Sequence, residues 1–360
     1  MNPIPLIIFG AGNVGRALVR QLLETVDYHL ARHRMAFSIV AWCDSDGALV
    51  DERGIRAGVL HRAVEAKAAG VRLADTEIGY RQDDPGAIVD VAGHDRCIVV
   101  DVTATAATVP ALELALRRGY AVATANKLPM SGPQELFDRL TGEGRCRYES
   151  TVGSAVPVIE TALALGRAAD RVDAVQGALS GTLGFIATGL EAGRAFSALV
   201  RDAMARGYTE PDPRADLGGM DVARKALILA RTLGWRLELA DVAVGSLVPP
   251  ALTELPLDAF LEQLPALDGQ YAEQAAAAHA AGNVLRYVAE MRDGQAKVGL
   301  QTVPRSSALG LLQGNDNLVA FHTRYYPDTP LVLQGRGAGV EAAAAGVHSD
   351  IVVLAQGQVE

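Results

Sequence analysis

This 360-residue chain predicts an α/β fold in two domains, and three observations carry the prediction. Largely apolar runs recur near residues 4–9, 37–42, 97–102 and 121–124, separated by turns and amphipathic stretches, which is the pattern of a parallel sheet covered by helices. A helical middle is followed by runs that alternate apolar and polar residues, the pattern of an antiparallel sheet. The length suggests more than one core. We expect a first domain over residues 1–150, completed by 331–360, and a second over 151–330.

Composition narrows the function. Apolar residues make up 49% and charged residues 21%, the balance of an ordinary soluble globular protein. A formal net charge of −9 argues against nucleic acid or an anionic membrane as partner, since both select basic surfaces. Cys43, Cys97 and Cys146 are odd in number, far apart and in no Cys-x-x-Cys pair. Neither a disulfide framework nor a zinc site is expected, and a reducing cytoplasm is the expected compartment. The apolar N-terminal run has no basic region or cleavage site, and no run is long enough to span a bilayer.

Ile4-Pro5-Leu6-Ile7-Ile8-Phe9 reads as a buried strand and leads directly into Gly10-Ala11-Gly12-Asn13-Val14-Gly15. Val14, Leu18, Leu22 and Val26 then recur at helical spacing. Glycines at these places let the backbone turn tightly and approach a pyrophosphate, which sits at the N-terminus of the following helix. The glycine pattern alone is a weak signal. Between this strand and this helix it predicts dinucleotide binding on Gly10, Gly12, Asn13, Val14 and Gly15.

The second strand, Phe37-Ser38-Ile39-Val40-Ala41-Trp42, ends near Asp44. An acid there accepts hydrogen bonds from the adenosine ribose and repels a 2′-phosphate, favouring NAD over NADP. Residues 27–34 lengthen the connection before it, Arg32 and Arg34 are within reach of a phosphate, and the alternative is that Asp44 caps the next turn. A polar stretch to about Gly93 reads as helical. Cys97-Ile98-Val99-Val100-Asp101-Val102 then delivers Thr103, Ala104 and Thr105 at a strand's C-terminal end, where ligands bind in open α/β sheets. A helix over 109–118 and the strand Ala121-Val122-Ala123-Thr124 lead to Ala125-Asn126-Lys127. A lysine at that edge can meet a nicotinamide and a substrate oxygen; taken alone, such a lysine is more often a surface residue.

A strand over 145–149 precedes the loop Glu149-Ser150-Thr151-Val152-Gly153-Ser154-Ala155-Val156-Pro157 and a helix over 158–165. Residues 174–186 read as strand, glycine turn and helix start, and 196–206 as a helix. The region to about Gly282 is helical, punctuated by Pro249, Pro250, Pro256 and Pro265. Residues 283–291 and 296–303 alternate with period two around Arg292-Asp293-Gly294, a hairpin signal, and 318–325 is a third strand. Leu331-Val332-Leu333-Gln334 then enters a second glycine turn, Gly335-Arg336-Gly337-Ala338-Gly339, and a last helix to about residue 353; we read this as the return to the first domain.

The most informative run is Gly207-Tyr208-Thr209-Glu210-Pro211-Asp212-Pro213-Arg214-Ala215-Asp216-Leu217-Gly218-Gly219-Met220-Asp221-Val222-Ala223-Arg224-Lys225. Pro211 and Pro213 remove two backbone donors and stiffen a loop that carries Glu210, Asp212 and Asp216. From Met220 to about Leu233 apolar residues surround most of a helix, which is therefore expected to be buried. Asp221 and Lys225 lie one turn apart in the favourable order, either as a structural ion pair or as part of a polar pocket for a small cationic or zwitterionic ligand.

This run resembles the signature of homoserine dehydrogenases, and Thr124-Ala125-Asn126-Lys127-Leu128-Pro129 is similar to a second motif of that family. The likeness covers nearly the whole chain. It implies a Rossmann-like dinucleotide-binding domain and an α+β substrate and dimerisation domain. The implied activity is reversible NAD(P)-dependent reduction of L-aspartate 4-semialdehyde to L-homoserine, in threonine, methionine and isoleucine biosynthesis. Homodimers form through the second sheet in such relatives, and this length leaves room for neither an aspartokinase nor a regulatory domain.

Carried onto matching positions, the resemblance makes Lys225 the proton donor, Asp221 its support and Lys127 a second cation. Glu210 and Asp216 take the substrate ammonium, with Lys225 also in substrate binding. Thr103, Gly337 and Gly339 join the cofactor site with Lys127. The 149–156 loop implies a monovalent cation such as Na⁺, held mainly by carbonyls, on Glu149, Val152, Ser154 and Val156; the alternative is a plain hinge. Ala215 departs from the family, where an Asp is common. Two other readings stay open: a dehydrogenase of another small amino-acid aldehyde or alcohol, and a dinucleotide sensor without catalysis.

Overall fold

The computed structural model describes residues 2–358 and divides into two units, the first made of residues up to Ala155 together with those from Gly339 on, the second of Val156–Ala338. The first unit is built on β1 (Ile4–Phe9), β2 (Phe37–Cys43), β3 (Gly47–Val50), β4 (Gly79–Arg81), β5 (Ile98–Asp101), β6 (Ala121–Thr124) and β7 (Cys146–Arg147). Their order is β4-β3-β2-β1-β5-β6-β7. Strands β2, β1, β5, β6 and β7 run parallel, and β3 and β4 add an antiparallel edge.

Register aligns the strand ends. Phe9 pairs with both Cys43 and Asp101, and Asp101 with Thr124, so four strands finish on one row. The chain winds outward on both sides of β1, and the turns after β1, β2, β5 and β6 all leave from that edge, where open sheets bind ligands. The core matches the apolar runs: all six residues of β1 are buried, with Leu18 and Leu22 from the helix Asn13–Glu24 and Val347 and Ile351 from the helix Val340–Gln356. Each such side chain contributes roughly 1.5–3 kcal/mol on full burial.

The second unit carries β8 (Val172–Ala178), β9 (Val242–Val244), β10 (Asn283–Arg292), β11 (Gln295–Pro304), β12 (Asn317–Thr323) and β13 (Tyr326–Gly335), ordered β13-β12-β8-β10-β11-β9. Only β9 and β11 pair in parallel. The hairpin forms where the alternation places it, with Arg292 opposite Gln295. Both linking residues are left-handed, Asp293 at φ 53° and Gly294 at φ 74°, the requirement of a tight two-residue turn.

Two elements differ from expectation. The polar stretch before Gly93 contains β3 and β4 as well as helices, because each strand is too short to show a period. Residues 331–334 do not return to the first sheet: Leu331 pairs with Phe321 and Gln334 with Leu318, so they complete the second, and the division falls at Gly339. Among the described residues no helix is long and apolar enough to cross a membrane.

Candidate active site

In the first unit the glycine turn has the geometry of a dinucleotide cradle. Gly10 has φ 109°, and a Cβ on Gly15 would lie 1.9 Å from the Gly10 carbonyl oxygen, so both are required by the turn itself. Gly12 differs: an added Cβ would meet nothing within 4 Å. Its smallness is not needed by the fold, which fits an approach kept open for a pyrophosphate. Among the described residues no side chain caps the helix Asn13–Glu24, and its first turn carries no acid, leaving its N-terminal N–H groups available to an anion. Asn13 is exposed and its Oδ1 accepts from Arg16 at 2.8 Å, while Val14 is half-buried against the core.

Asp44 ends β2 as expected, but its carboxylate is occupied. Oδ1 accepts the N–H groups of Asp46 and Gly47 at 3.1 and 2.9 Å, and Oδ2 accepts Lys67 Nζ at 2.7 Å and the Leu73 N–H at 2.8 Å. This is the turn-capping alternative. Burial alone pushes the carboxyl up, but hydrogen bonds from Lys67, Leu73 and Asp46, with the charge of Lys67, bring it below the usual range. Lys67 also offsets the negative charge expected to repel a 2′-phosphate.

At the ends of β5 and β6, Thr103 donates its N–H and hydroxyl to Asp101 Oδ1 at 2.9 and 2.7 Å. Asn126 accepts the Leu128 N–H at 3.1 Å and so caps the short turn Lys127–Met130. The Lys127 carbonyl is held by the N–H and the hydroxyl of Ser131, both at 2.8 Å. Farther on, Glu149 is buried, with its N–H donating to Asp350 at 2.8 Å. Val152 is buried, and Ser154, left-handed at φ 58°, accepts the Ser150 hydroxyl on its carbonyl at 3.3 Å. Val156 belongs to the second unit, and its carbonyl accepts the Val158 N–H at 2.7 Å. No cluster of three or more His, Cys, Asp or Glu that could hold a metal occurs among the described residues.

In the second unit the 207–225 run folds around one polar centre. Gly219 begins the helix Met220–Thr232 at φ 75°, and a Cβ there would lie 1.9 Å from the Tyr287 hydroxyl, so the position is closed to other residues twice over. The helix buries Val222, Ala223 and every residue from Ala226 to Arg231. Lys225 Nζ lies 2.8 Å from Asp221 Oδ2 and donates to the Leu179 carbonyl at 2.7 Å. Its side chain is 13% exposed, and that of Asp221 47%.

The acidic loop closes on the same region. Asp216 accepts the Glu210 N–H at 2.8 Å and the Thr182 hydroxyl at 3.4 Å, and Thr182 also donates to the Tyr208 carbonyl. Burial raises the Asp216 carboxyl, and the charges of Glu210 and Asp221 add to this against the two hydrogen bonds. Asp216 thus feels both Glu210 and Asp221, and Asp221 holds Lys225, a field suited to an ammonium group. Asp212 is not one of them: Arg214 grips it with Nε at 2.9 Å and Nη2 at 2.6 Å, and also donates to the Thr253 and Leu255 carbonyls. Asp221 takes the third place instead. Sequence reasoning gave no individual role to Thr182 or the Leu179 carbonyl, which lie within the strand and glycine turn over 174–186.

Gly337 is buried, and a Cβ on it would lie 1.8 Å from the Asn317 side chain. Gly339 has φ 138° and precedes the helix Val340–Gln356. The cysteines offer no nucleophile: all three are buried, and burial pushes the thiols of Cys97 and Cys146 up to about 12 and that of Cys43 further.

Comparison with known proteins places both halves. The family described as homoserine dehydrogenase matches residues 157–352, and the one described as homoserine dehydrogenase, NAD binding domain, matches residues 10–145. A chloroplastic bifunctional aspartokinase/homoserine dehydrogenase of Zea mays is 36% identical over 97% of this chain, which spans 38% of that protein. A homoserine dehydrogenase of Emericella nidulans is 36% identical over 97% of this chain and 98% of its own length. Among solved structures, a putative homoserine dehydrogenase of Archaeoglobus fulgidus superposes with a TM-score of 0.78 at 27% identity, covering 97% of this chain and 98% of that one. With its glycine cradle in one unit and its lysine–acid centre in the other, the chain belongs to the homoserine dehydrogenase family.

Proposed function

We propose that the chain catalyses the reversible NAD(P)-dependent reduction of L-aspartate 4-semialdehyde to L-homoserine. The observation that carries this is the second-unit centre, where Lys225 is held by Asp221 and the Leu179 carbonyl beside Glu210 and Asp216. The glycine cradle, with Thr103, Gly337 and Gly339, is assigned to the dinucleotide. When bound, the nicotinamide supplies or accepts the hydride. Lys225 donates the proton to the aldehyde oxygen as it becomes a hydroxyl, and Asp221 fixes the ammonium in place. Lys127 adds a second positive charge for that oxygen. Glu210 binds the substrate α-ammonium, and Asp216 sets the charge of its surroundings.

Three finer assignments belong to the same reading. NAD is favoured, with Asp44 exchanging an internal bond for the ribose; because Lys67 shares that carboxylate, discrimination against NADP is modest. A monovalent cation such as Na⁺ is assigned to Glu149 and the carbonyls of Val152, Ser154 and Val156, an all-oxygen donor set suited to a hard ion. The protein works in the cytoplasm as a homodimer paired through the second sheet, which light scattering across the micromolar range tests.

The deciding experiment follows nicotinamide absorbance with homoserine and each cofactor. Turnover of homoserine supports the reading. Turnover only with another amino-acid alcohol would replace the substrate, and dinucleotide binding without any turnover would favour a sensor.

A further inference from the structure

Asp101 is 0% exposed at the end of β5, and no role above uses it. Its Oδ1 takes both donors of Thr103, at 2.9 and 2.7 Å. Its Oδ2 takes the Thr108 hydroxyl at 2.8 Å and Asn126 Nδ2 at 3.0 Å. Asn126, itself buried, shares that nitrogen with Thr103 Oγ1 at 3.2 Å and the Thr105 carbonyl at 2.7 Å. Its oxygen holds the Leu128 N–H, which sets the turn that begins with Lys127. One carboxylate therefore fixes the loop after β5 through one oxygen and the turn after β6 through the other.

Packing gives no reason for an acid here. A buried carboxylate is costly unless hydrogen bonds satisfy it, and this one holds four donors in place. The partners that Asp101 has are neutral donors, so its place is accounted for by what it orients. Two of those donors, the Thr103 N–H and the Asn126 Nδ2 group, whose own oxygen is held by the Leu128 N–H, cannot act as acceptors, so the site discriminates between Asp and its near-isostere Asn.

We propose that Asp101 is a positioning residue for the reaction, setting Thr103 against the dinucleotide and, through Asn126, the Lys127 ammonium against the substrate oxygen. The inference rests on the roles given above to Thr103 and Lys127. Small displacements of positioned groups cost rate far more than they cost ground-state binding elsewhere.

The test compares wild type, Asp101→Asn and Asn126→Ser, measuring apo melting temperature, NADH affinity by fluorescence, and kcat and KM. In Asp101→Asn an amide faces an amide. We expect kcat to fall about tenfold to a hundredfold and NADH affinity to weaken about threefold or more, with KM for homoserine within about twofold. A folded Asp101→Asn protein with native kcat and NADH affinity overturns the proposal. If Asp101→Asn does not fold, Asn126→Ser keeps a capping hydroxyl but drops the link; native kcat in that variant, or its failure to fold as well, assigns the network to stability alone. Wild type inactive on homoserine would overturn the functional reading, and this inference with it, whereas active wild type with an unimpaired Asp101→Asn variant overturns the inference only.

Discussion

Lys225–Asp221 and Lys67–Asp44 are nearly the same ion pair by distance, 2.8 and 2.7 Å, and differ in everything around it. The Asp44 side chain is 8% exposed and takes four donors, so both its oxygens are spent inside the fold. Asp221 is 47% exposed, and Lys225, with three N–H donors, gives one to Asp221 and one to the Leu179 carbonyl. The first pair is closed by its neighbours. The second is open on the Asp221 side, and the charge of Asp221 reaches Asp216. The proposed function makes the second pair the reactive one, and what separates it from the first is exposure rather than length.

Replacing the lysines breaks the comparison most directly. Lys225→Met should lower kcat about 10²–10⁴-fold in a folded protein that still binds NADH, the range for a positioned acid–base group. Near-native turnover in that protein would remove the mechanism. Lys67→Met should instead leave Asp44 buried without its cation, costing about 3 kcal/mol of stability in denaturant unfolding. An unchanged stability would mean the Asp44 site is not closed after all.

A third close pair extends the comparison to two bases. His29 and His348 are buried with Nε2 atoms 2.8 Å apart, and burial holds both below their usual value, with His33 adding to this for His29. Burial and His29 bring His348 down to about 4. Because the folded pKa lies below the unfolded one, this pair's stabilisation is complete above about pH 6.5 and fades as pH falls towards 4. Unfolding free energy should drop by roughly 2–3 kcal/mol between pH 7 and 4, and His348→Asn should flatten that slope. Asp44, lowered instead by its partners, loses its contribution only at more acid pH, as its own folded pKa is passed. The smallest effect belongs to the open flank: Glu210→Gln should raise KM for homoserine about tenfold and leave NADH affinity alone. An unchanged KM would move the ammonium site away from the acidic loop.

The features that could be read in the sequence are those set by adjacent residues. The glycine turn, the hairpin at Asp293-Gly294, the buried helix after Gly219 and the Asp221–Lys225 spacing each follow from local sterics or one helical turn. What escaped depends on partners brought together by register. Lys67 closes Asp44 from 23 positions away, Asn126 reaches Asp101 from the next strand, and Arg214 withdraws Asp212 from the acidic cluster only because the carbonyls of Thr253 and Leu255 anchor the guanidinium. Strands β3 and β4 are too short to announce themselves, and β13 was misplaced because the glycine turn after it resembled the start of a nucleotide-binding unit.

The helix Val340–Gln356 buries Ala344, Val347, Ile351 and Leu354 in the first unit, yet the whole of Val156–Ala338 is translated before it. At ordinary rates of synthesis the ribosome spends roughly ten to forty seconds on the intervening segment. Throughout that interval the nascent sheet carries an apolar face whose own cover has not yet been made. The dinucleotide unit, first to begin, is therefore last to be finished, and a chaperone acting on this chain would find its substrate there.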